Sequence, residues 1–170
     1  MDPDRFASDA QRLAFAALDA RGLDIPLDEG ARVAFAAQFN QIPAMSFMGC
    51  ELDLAHPRVV RVHLPQVQVH HQGGMGTEAV NGAVLAGLAD CALGVAGVMQ
   101  FNGQRSGSVE MSIKFMRPTV GRSVDAYAVA LKKGGSVVFA EIEVYCEGTL
   151  SAIATGMVAR PSDDEGQFVG

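Results

Sequence analysis

The segment AVNGAVLAGLADCALGVAGVM, from Ala79 to Met99, is the longest apolar run in this chain and predicts its central element. Asn81 is a good helix N-cap residue, and the residues after it contain no proline and a single charge, that of Asp90. The run is too long for one strand, and its glycines argue against a membrane span. The sequence therefore predicts a buried central helix that carries one carboxylate.

This helix has one side with small residues and one side with large residues. At 100° per residue, the small residues share the side of Asp90: Ala83, Ala86, Gly87, Gly94 and Gly97. The large residues lie opposite: Val84, Leu85, Leu88, Val95 and Met99. Because a glycine inside a helix costs about 1 kcal/mol relative to alanine, the small side predicts that another backbone or a thin ligand approaches Asp90 closely. Burial there predicts a raised pKa for Asp90, which favours a role as a base.

Length and composition predict one globular domain, with 170 residues of which 49% are hydrophobic. The first residues lack the basic and apolar regions of a secretory signal, and they are too acidic for a typical transit peptide. The three cysteines are far apart, which favours neither a disulfide framework nor a metal site. These features predict a soluble protein of the reducing cytoplasm.

The charge distribution argues for a small ligand. A net charge of −6 disfavours binding to nucleic acid or to an anionic membrane. Between Arg105 and Lys133, however, six basic and two acidic residues give a local charge of +4. This excess suits a small polyanion better than a polymer, and a solvated sheet face explains it as well.

Turn signals divide the rest of the chain into short elements. Two helices are predicted before the central one, from Asp2-Pro3 to Gly22 and from Asp28 to Asn40, with Pro43 ending the second. Six strands are predicted: Ser46–Leu54, Arg58–Leu64, Ser108–Met116, Ser123–Lys132, Val137–Glu147 and Leu150–Ala159. The segment VQVHHQGGMGTEA, before the central helix, is predicted to be a loop.

This order of elements predicts an α+β fold, in which an antiparallel sheet of about six strands wraps around one long central helix. We expect an N-terminal helical extension over residues 1–41, a main domain over 42–161 and a flexible tail over 162–170. The sequence does not decide whether the extension covers a binding site or an oligomer contact.

The segments AVNGAVLAGLAD and GSVEMSIKFMRPT resemble the hotdog-fold acyl-CoA thioesterases of the phenylacetic-acid-degradation type, and the similarity spans roughly residues 42–159. In that family the helix typically starts with His-Gly-Gly and carries an aspartate nine residues after the histidine. Here Asn81 stands at the histidine position, Ala83 replaces the second glycine, and Asp90 lies nine residues after Asn81. The family strand that ends in Arg-Pro opens with serine or threonine, and Ser108 occupies that place.

The resemblance implies a hotdog fold and hydrolysis of a small to medium acyl- or aryl-CoA thioester, without a metal or redox cofactor. It also implies a homodimer with shared active sites, often doubled into a dimer of dimers. The family often has an asparagine before the helix. The loop here is about two residues longer, and Gln72 is the best substitute amide.

Thioester hydrolysis needs a base or nucleophile at the carbonyl carbon and donors for the carbonyl oxygen. The N–H of Gly82 at the helix N-terminus is a natural donor. Asp90 is a candidate general base or a candidate direct nucleophile, and Ser108 is a candidate for orienting the attacking water. The phosphates of coenzyme A have three candidate ligands, for which solvated strand ends are the alternative explanation: Arg117, Lys132 and Lys133.

Geometry then requires two chains. Gly82 and Asp90 are eight residues apart on one helix, about 12 Å at 1.5 Å per residue, so they cannot contact one carbonyl together. Two antiparallel copies of the helix would bring Gly82 of one chain near Asp90 of the other. The sequence therefore predicts two shared sites in a symmetric dimer.

Other interpretations stay open. The helix aspartate can be structural, and a serine at a strand start can be a plain hydrogen-bonding residue. Cys91 points about 100° away from Asp90 and has no histidine on its helix, which favours an inert buried thiol. For His63, His70 and His71, no carboxylate or cysteine completes a usual metal spacing.

Two other functions are compatible with this fold. A non-catalytic acyl-CoA or fatty-acid binding module is suggested by the altered start Asn81-Gly82-Ala83. A hydratase or dehydratase is less favoured, because no histidine is paired with the helix acid. Turnover of a thioester separates the enzyme from the binder, and loss of a substrate double bond identifies the hydratase.

Overall fold

The computed structural model describes residues 9–160, so the predicted helix start at Asp2-Pro3 and the predicted tail 162–170 lie outside the described residues. The helices and strands follow in this order: α1 (Asp9–Arg21), α2 (Glu29–Phe39), α3 (Pro43–Met48), β1 (Glu51–Asp53), β2 (Val59–Leu64), β3 (Gln72–Gly74), β4 (Thr77–Val80), α4 (Gly82–Gln100), β5 (Gly107–Phe115), β6 (Val124–Lys133), β7 (Val137–Cys146) and β8 (Thr149–Ala159).

Six of these strands form one antiparallel sheet in the order β1-β2-β6-β7-β8-β5, and α4 packs across its inner face. Strand β6 is buried on both faces. Its residues Val124, Ala126 and Ala128 join the core around α4, while Tyr127 and Val129 belong to a second apolar cluster on the outer face. The predicted α+β architecture, with one long helix against a six-stranded antiparallel sheet, is confirmed.

The first helix of the chain covers the outer face of this sheet. Phe15 and Leu18 of α1 pack there with Val59, Tyr127 and Tyr145. The described part of α1 ends just before Gly22, as predicted. Helix α1 therefore lies on the side of the sheet opposite to α4.

A buried arginine holds helix α2 in place. Arg32 is 6% exposed, and its guanidinium donates hydrogen bonds to the carbonyls of Leu27, Leu54 and Ala55. An arginine almost never lies buried unless its donors are satisfied, and three backbone carbonyls satisfy them here. Helix α2 is thus held against the end of β1 and the turn after it.

The predicted strand Ser46–Leu54 is wrong over its first half. Residues Pro43–Met48 form α3, and β1 covers only Glu51–Asp53. Pro43 lies in the first turn of α3, where its fixed φ suits a helix and its missing N–H costs nothing. Gly49 ends α3 with a left-handed φ of 64°, a conformation that favours glycine.

Helix α4 is long and apolar enough to cross a membrane, but half of its most apolar stretch is buried inside the protein. It contacts β2, β5, β6, β7 and β8. These contacts identify it as the core helix of the domain.

One small residue of α4, which the sequence places on the side of Asp90, lies against the sheet. Gly97 is buried, and a Cβ added there would overlap Cβ and Cγ1 of Val158 on β8. The backbones of helix and strand approach closely at this point because glycine has no side chain.

We expect Gly97→Ala to destabilise the protein by about 1–3 kcal/mol. Alanine gains about 1 kcal/mol of helix propensity over glycine, but relief of the overlap requires a backbone shift because Val158 Cβ cannot rotate away. Urea unfolding measures the difference. Gly135→Ala is the matched control, because a Cβ there meets nothing within 4 Å. Equal stability of the two variants would contradict the assigned packing.

Candidate active site

Hydrogen bonds on both sides of Asn81 fix the N-terminus of α4. Asn81 has extended backbone angles, φ −61° and ψ 136°, and its side-chain oxygen accepts the N–H of Ala83 at 2.8 Å. Its own N–H donates to the carbonyl of His71 at 2.8 Å. The predicted N-cap is confirmed, and the residue at the family's histidine position has a structural role in this chain.

His71 anchors the preceding loop from inside the protein. It is 3% exposed, and its Nδ1 accepts the N–H of Gln68 at 3.0 Å. Burial, and then the neighbouring His70, lower the pKa of His71, which favours the neutral ring. The predicted loop also contains the hairpin β3–β4, in which Gln72 pairs with Val80. Gln72 is therefore beside the start of α4.

A cavity of about 440 Å³ opens at this helix end. Its lining consists of Val80, Gly82, Leu85, Phe115, Met116, Arg117, Pro118 and Thr119. The ring of Phe115 covers Gly82, since a Cβ added at Gly82 would meet the ring at 3.4 Å. The sequence predicts Gly82 and Arg117 as site residues but misses Phe115 and Thr119, because only the folded chain returns the end of β5 to the start of α4.

Gly82 lines this cavity, and its N–H is not used by the hydrogen bonds that cap the start of α4. The carbonyl of Asn81 accepts the N–H groups of Val84 and Leu85 at 3.0 and 3.2 Å, and the Asn81 side chain takes that of Ala83. These bonds leave the N–H of Gly82 as a donor at the positive end of the helix dipole.

Asp90 is exposed in the single chain, so the predicted burial is wrong within one protomer. A Cβ added at Gly87, about one turn earlier, would lie 3.6 Å from Met48 Sδ. A Cβ at Gly94, about one turn later, would lie 3.6 Å from Ser108 Oγ. Asp90 is thus open to solvent between two positions where α3 and β5 contact the helix.

Ser108 faces α4 because β5 contains a β-bulge at Val109. Ser108 pairs with Val158 and Glu110 pairs with Met157, so Val109 is the extra residue. Without the bulge, the alternation of the strand would turn Ser108 outward together with Glu110. The bulge brings Ser108 to the helix about one turn from Asp90.

The three predicted cations do not lie together in one chain. Arg117 lines the cavity at the N-terminus of α4. Lys133 is at the opposite end of the helix, where its Nζ donates to the carbonyl of Gln100 and lies 5.6 Å from the centre of the Phe101 ring. Lys133 therefore caps the C-terminus of α4. Lys132 is its exposed neighbour on β6.

Cys91 is not an activated nucleophile. Its thiol donates to Met45 Sδ at 3.8 Å, and burial raises the pKa of the Cys91 thiol to about 12. His63 lies in β2 with its Nδ1 2.8 Å from Asp125. Within residues 9–160, no group of three His, Cys, Asp or Glu side chains is arranged to hold a metal ion.

The chain is similar to known thioesterases in sequence pattern and in fold. Residues 78–153 match the thioesterase superfamily. The PaaI protein of the E. coli phenylacetic acid degradation operon superposes with a TM-score of 0.63 at 19% identity, covering 85% of this chain and 96% of that one. A thioesterase of Haemophilus influenzae gives 0.63 at 18% identity, covering 72% and 85%.

A Shewanella oneidensis protein related to the thioesterase superfamily gives a TM-score of 0.68 at 19% identity, covering 79% of this chain and 97% of that one. Comparison with curated proteins gave no match. At these identities the structural likeness establishes the fold. The hotdog fold and the resemblance to PaaI-like thioesterases, both expected from the sequence, are confirmed.

Proposed function

We propose that this hotdog-fold chain, which matches the thioesterase superfamily over residues 78–153, hydrolyses small to medium acyl- or aryl-CoA thioesters in the cytoplasm. The proposed site combines the N–H of Gly82 from one protomer with Asp90 and Ser108 of a second copy. The observation that supports this proposal is that β5 runs along α4 as an edge strand, with Phe115 near Gly82 and Ser108 near Gly94.

Strand β5 is a long edge strand. It pairs with β8 on one side only among the described strands, and its residues Val109 and Phe115 are 60% and 51% exposed. An edge with unpaired N–H and C=O groups is a template for another strand. A second copy of β5, added antiparallel, satisfies these groups and covers the exposed apolar side chains.

Such pairing would complete the site, because the two groups of proposed site residues, Gly82 on one side and Ser108 with Asp90 on the other, lie near opposite ends of β5. Gly82 is close to Phe115 at one end, and Gly94 is close to Ser108 at the other. If the two-fold axis passes near Met111, the middle of the strand, Phe115 lies opposite the partner's Gly107. The partner's Ser108 and Asp90 then approach the Gly82 of this chain.

In the proposed reaction, Asp90 takes a proton from water held by Ser108 as the water oxygen bonds to the thioester carbon. The carbonyl electron pair moves onto oxygen, where the N–H of Gly82 stabilises the charge. When this electron pair re-forms the carbonyl double bond, the C–S bond breaks and the sulfur receives the proton from Asp90. The products are the carboxylic acid and free coenzyme A. Direct attack by Asp90 remains the alternative route to the same products.

The cavity supports a substrate of moderate size. Val80, Leu85 and Phe115 give it apolar walls for an acyl or aryl group, and Arg117 offers a cation for a phosphate of coenzyme A. Lys132 is a second proposed phosphate ligand. Lys133 is a weaker one, because its Nζ already bonds to Gln100. The proposal needs no metal and no cofactor besides the coenzyme A of the substrate, and it includes a homodimer that doubles into a dimer of dimers.

We expect the purified full-length protein to release free coenzyme A from acyl-CoA thioesters. A thiol reagent measures the release over a panel of acyl-CoA chain lengths and aryl-CoA substrates. The cavity size predicts the highest kcat/KM for short to medium acyl or single-ring aryl groups. Binding across the panel without release would instead identify a non-catalytic acyl-CoA binding module.

A further inference from the structure

Three sulfur atoms converge where α3 contacts α4. The thiols of Cys50 and Cys91 donate to one and the same acceptor, Sδ of Met45, at 3.7 and 3.8 Å. Cys50 and Met45 are buried, and Cys91 is partly buried. Burial, and then the nearby Cys50, raise the pKa of Cys91, which places the two thiols near each other as well. The fold therefore collects three sulfurs from segments that are far apart in the sequence.

The spacing of these sulfurs fits a single metal ion. A metal–sulfur bond is about 2.3 Å long, so three sulfurs in a trigonal plane around one ion are about 4 Å apart. The distances from Met45 Sδ to the thiols of Cys50 and Cys91, 3.7 and 3.8 Å, are close to this value. The three side chains can therefore hold one ion with little movement.

The charges around the sulfurs favour a cation. Glu51 follows Cys50 and Asp90 precedes Cys91, and each carboxylate adds to the larger effect of burial in raising the pKa of the neighbouring thiol. A cavity of about 400 Å³ has Met45 and Cys50 in its lining, and Glu51 is the charged residue there. The same negative potential that disfavours a free thiolate attracts a positive ion.

The ligand types favour a soft ion. Zinc in proteins is bound by thiolate, imidazole and carboxylate, whereas thioether together with thiolate suits Cu(I). Burial raises the pKa of Cys50 to about 11, so both cysteines are neutral thiols when no ion is bound. Coordination displaces a thiol proton, and one thiolate balances the single charge of Cu(I).

We propose that Met45, Cys50 and Cys91 form a binding site for Cu(I). As each copper–thiolate bond forms, the proton of that thiol leaves to solvent, and no electron is transferred. The thioether of Met45 coordinates through a lone pair and loses no proton. This inference does not rest on the proposed function, and its readout is copper binding, not thioester turnover.

Anaerobic titration of the full-length protein with Cu(I), in competition with the chromogenic chelator bicinchoninate, tests the site. We expect one Cu(I) per chain, with sulfur ligands at about 2.3 Å in X-ray absorption. Cys91→Ser and Met45→Leu each remove one ligand at nearly constant size. Each should weaken Cu(I) binding by at least about 10- to 100-fold, the range for loss of a residue that only orients a metal ligand.

Cys146→Ser is the matched control, because Cys146 is a buried cysteine at the end of β7. It should keep the wild-type affinity for Cu(I). Added Cu(I) should raise the melting temperature of the wild type and of this control, and less or not at all that of the two ligand variants. Melting curves without copper show that each variant is folded, and Met45→Leu conserves the core volume.

Three results would overturn the inference. The first is a wild-type protein that takes no Cu(I) from the chelator. The second is wild-type affinity in Cys91→Ser and in Met45→Leu, or an equal loss in Cys146→Ser. The third is a bound ion whose ligands are nitrogen or oxygen atoms. None of these results bears on thioester hydrolysis, which is measured separately by thiol release.

Discussion

Asp90→Asn should lower kcat for thioester hydrolysis by about 10²- to 10⁴-fold while the affinity for acyl-CoA stays unchanged. Asparagine has nearly the same shape as aspartate, but it can neither take a proton from water nor attack a carbonyl carbon. The position is exposed on α4, so the change should not disturb folding. Steady-state thiol release gives kcat, and calorimetric titration with the same acyl-CoA gives Kd.

The control for this experiment is Asp24→Asn, a carboxylate that is 86% exposed and belongs to a weak contact with Arg58. It should leave both constants unchanged. Wild-type turnover in Asp90→Asn would remove Asp90 from the chemistry. Loss of affinity equal to the loss of kcat/KM would make it a binding residue.

Two inactive variants should restore activity when they share a dimer. Gly82→Pro removes the N–H that we assign to the carbonyl oxygen, and the first helical position tolerates proline. We expect it to be as inactive as Asp90→Asn. In a dimer with one subunit of each kind, one shared site combines the intact Gly82 of the Asp90→Asn subunit with the intact Asp90 of the Gly82→Pro subunit. The other shared site contains both substitutions.

Co-expression of the two variants with different affinity tags allows the mixed dimer to be purified. About half of the wild-type activity per dimer is expected from it, because one of two shared sites is intact. The same co-expression with two copies of Asp90→Asn is the control and should give no recovery. Absence of recovery in the mixed dimer would show that Gly82 and Asp90 do not act in one shared site.

Much of the fold follows from local patterns. The apolar run between Asn81 and Met99 predicts α4, and the predicted strands Ser123–Lys132 and Val137–Glu147 correspond to β6 and β7. The error at Ser46–Leu54 has a local cause, because α3 is a short helix of six residues without a charged residue or a long repeat. Short apolar runs do not separate helix from strand by periodicity.

The proposed site is only partly predictable from the sequence. Asp90 and Gly82 follow from the composition and the start of α4, and Ser108 follows from the family pattern. The orientation of Ser108 does not, because it depends on a bulge that is defined only when β5 pairs with β8. The sequence presents Lys133 as a cation available for a phosphate, but in the folded chain its Nζ donates to the carbonyl of Gln100 at the end of α4.

The long helix, a main sheet of about six strands and the single carboxylate on the helix are predictable from local sequence, because each depends on residues close together in the chain. The direction of Ser108, the position of Thr119 beside Val80 and the exposure of Asp90 are defined only in the folded chain. These features depend on contacts between segments distant in sequence, whose geometry is set by packing and strand register and not by periodicity.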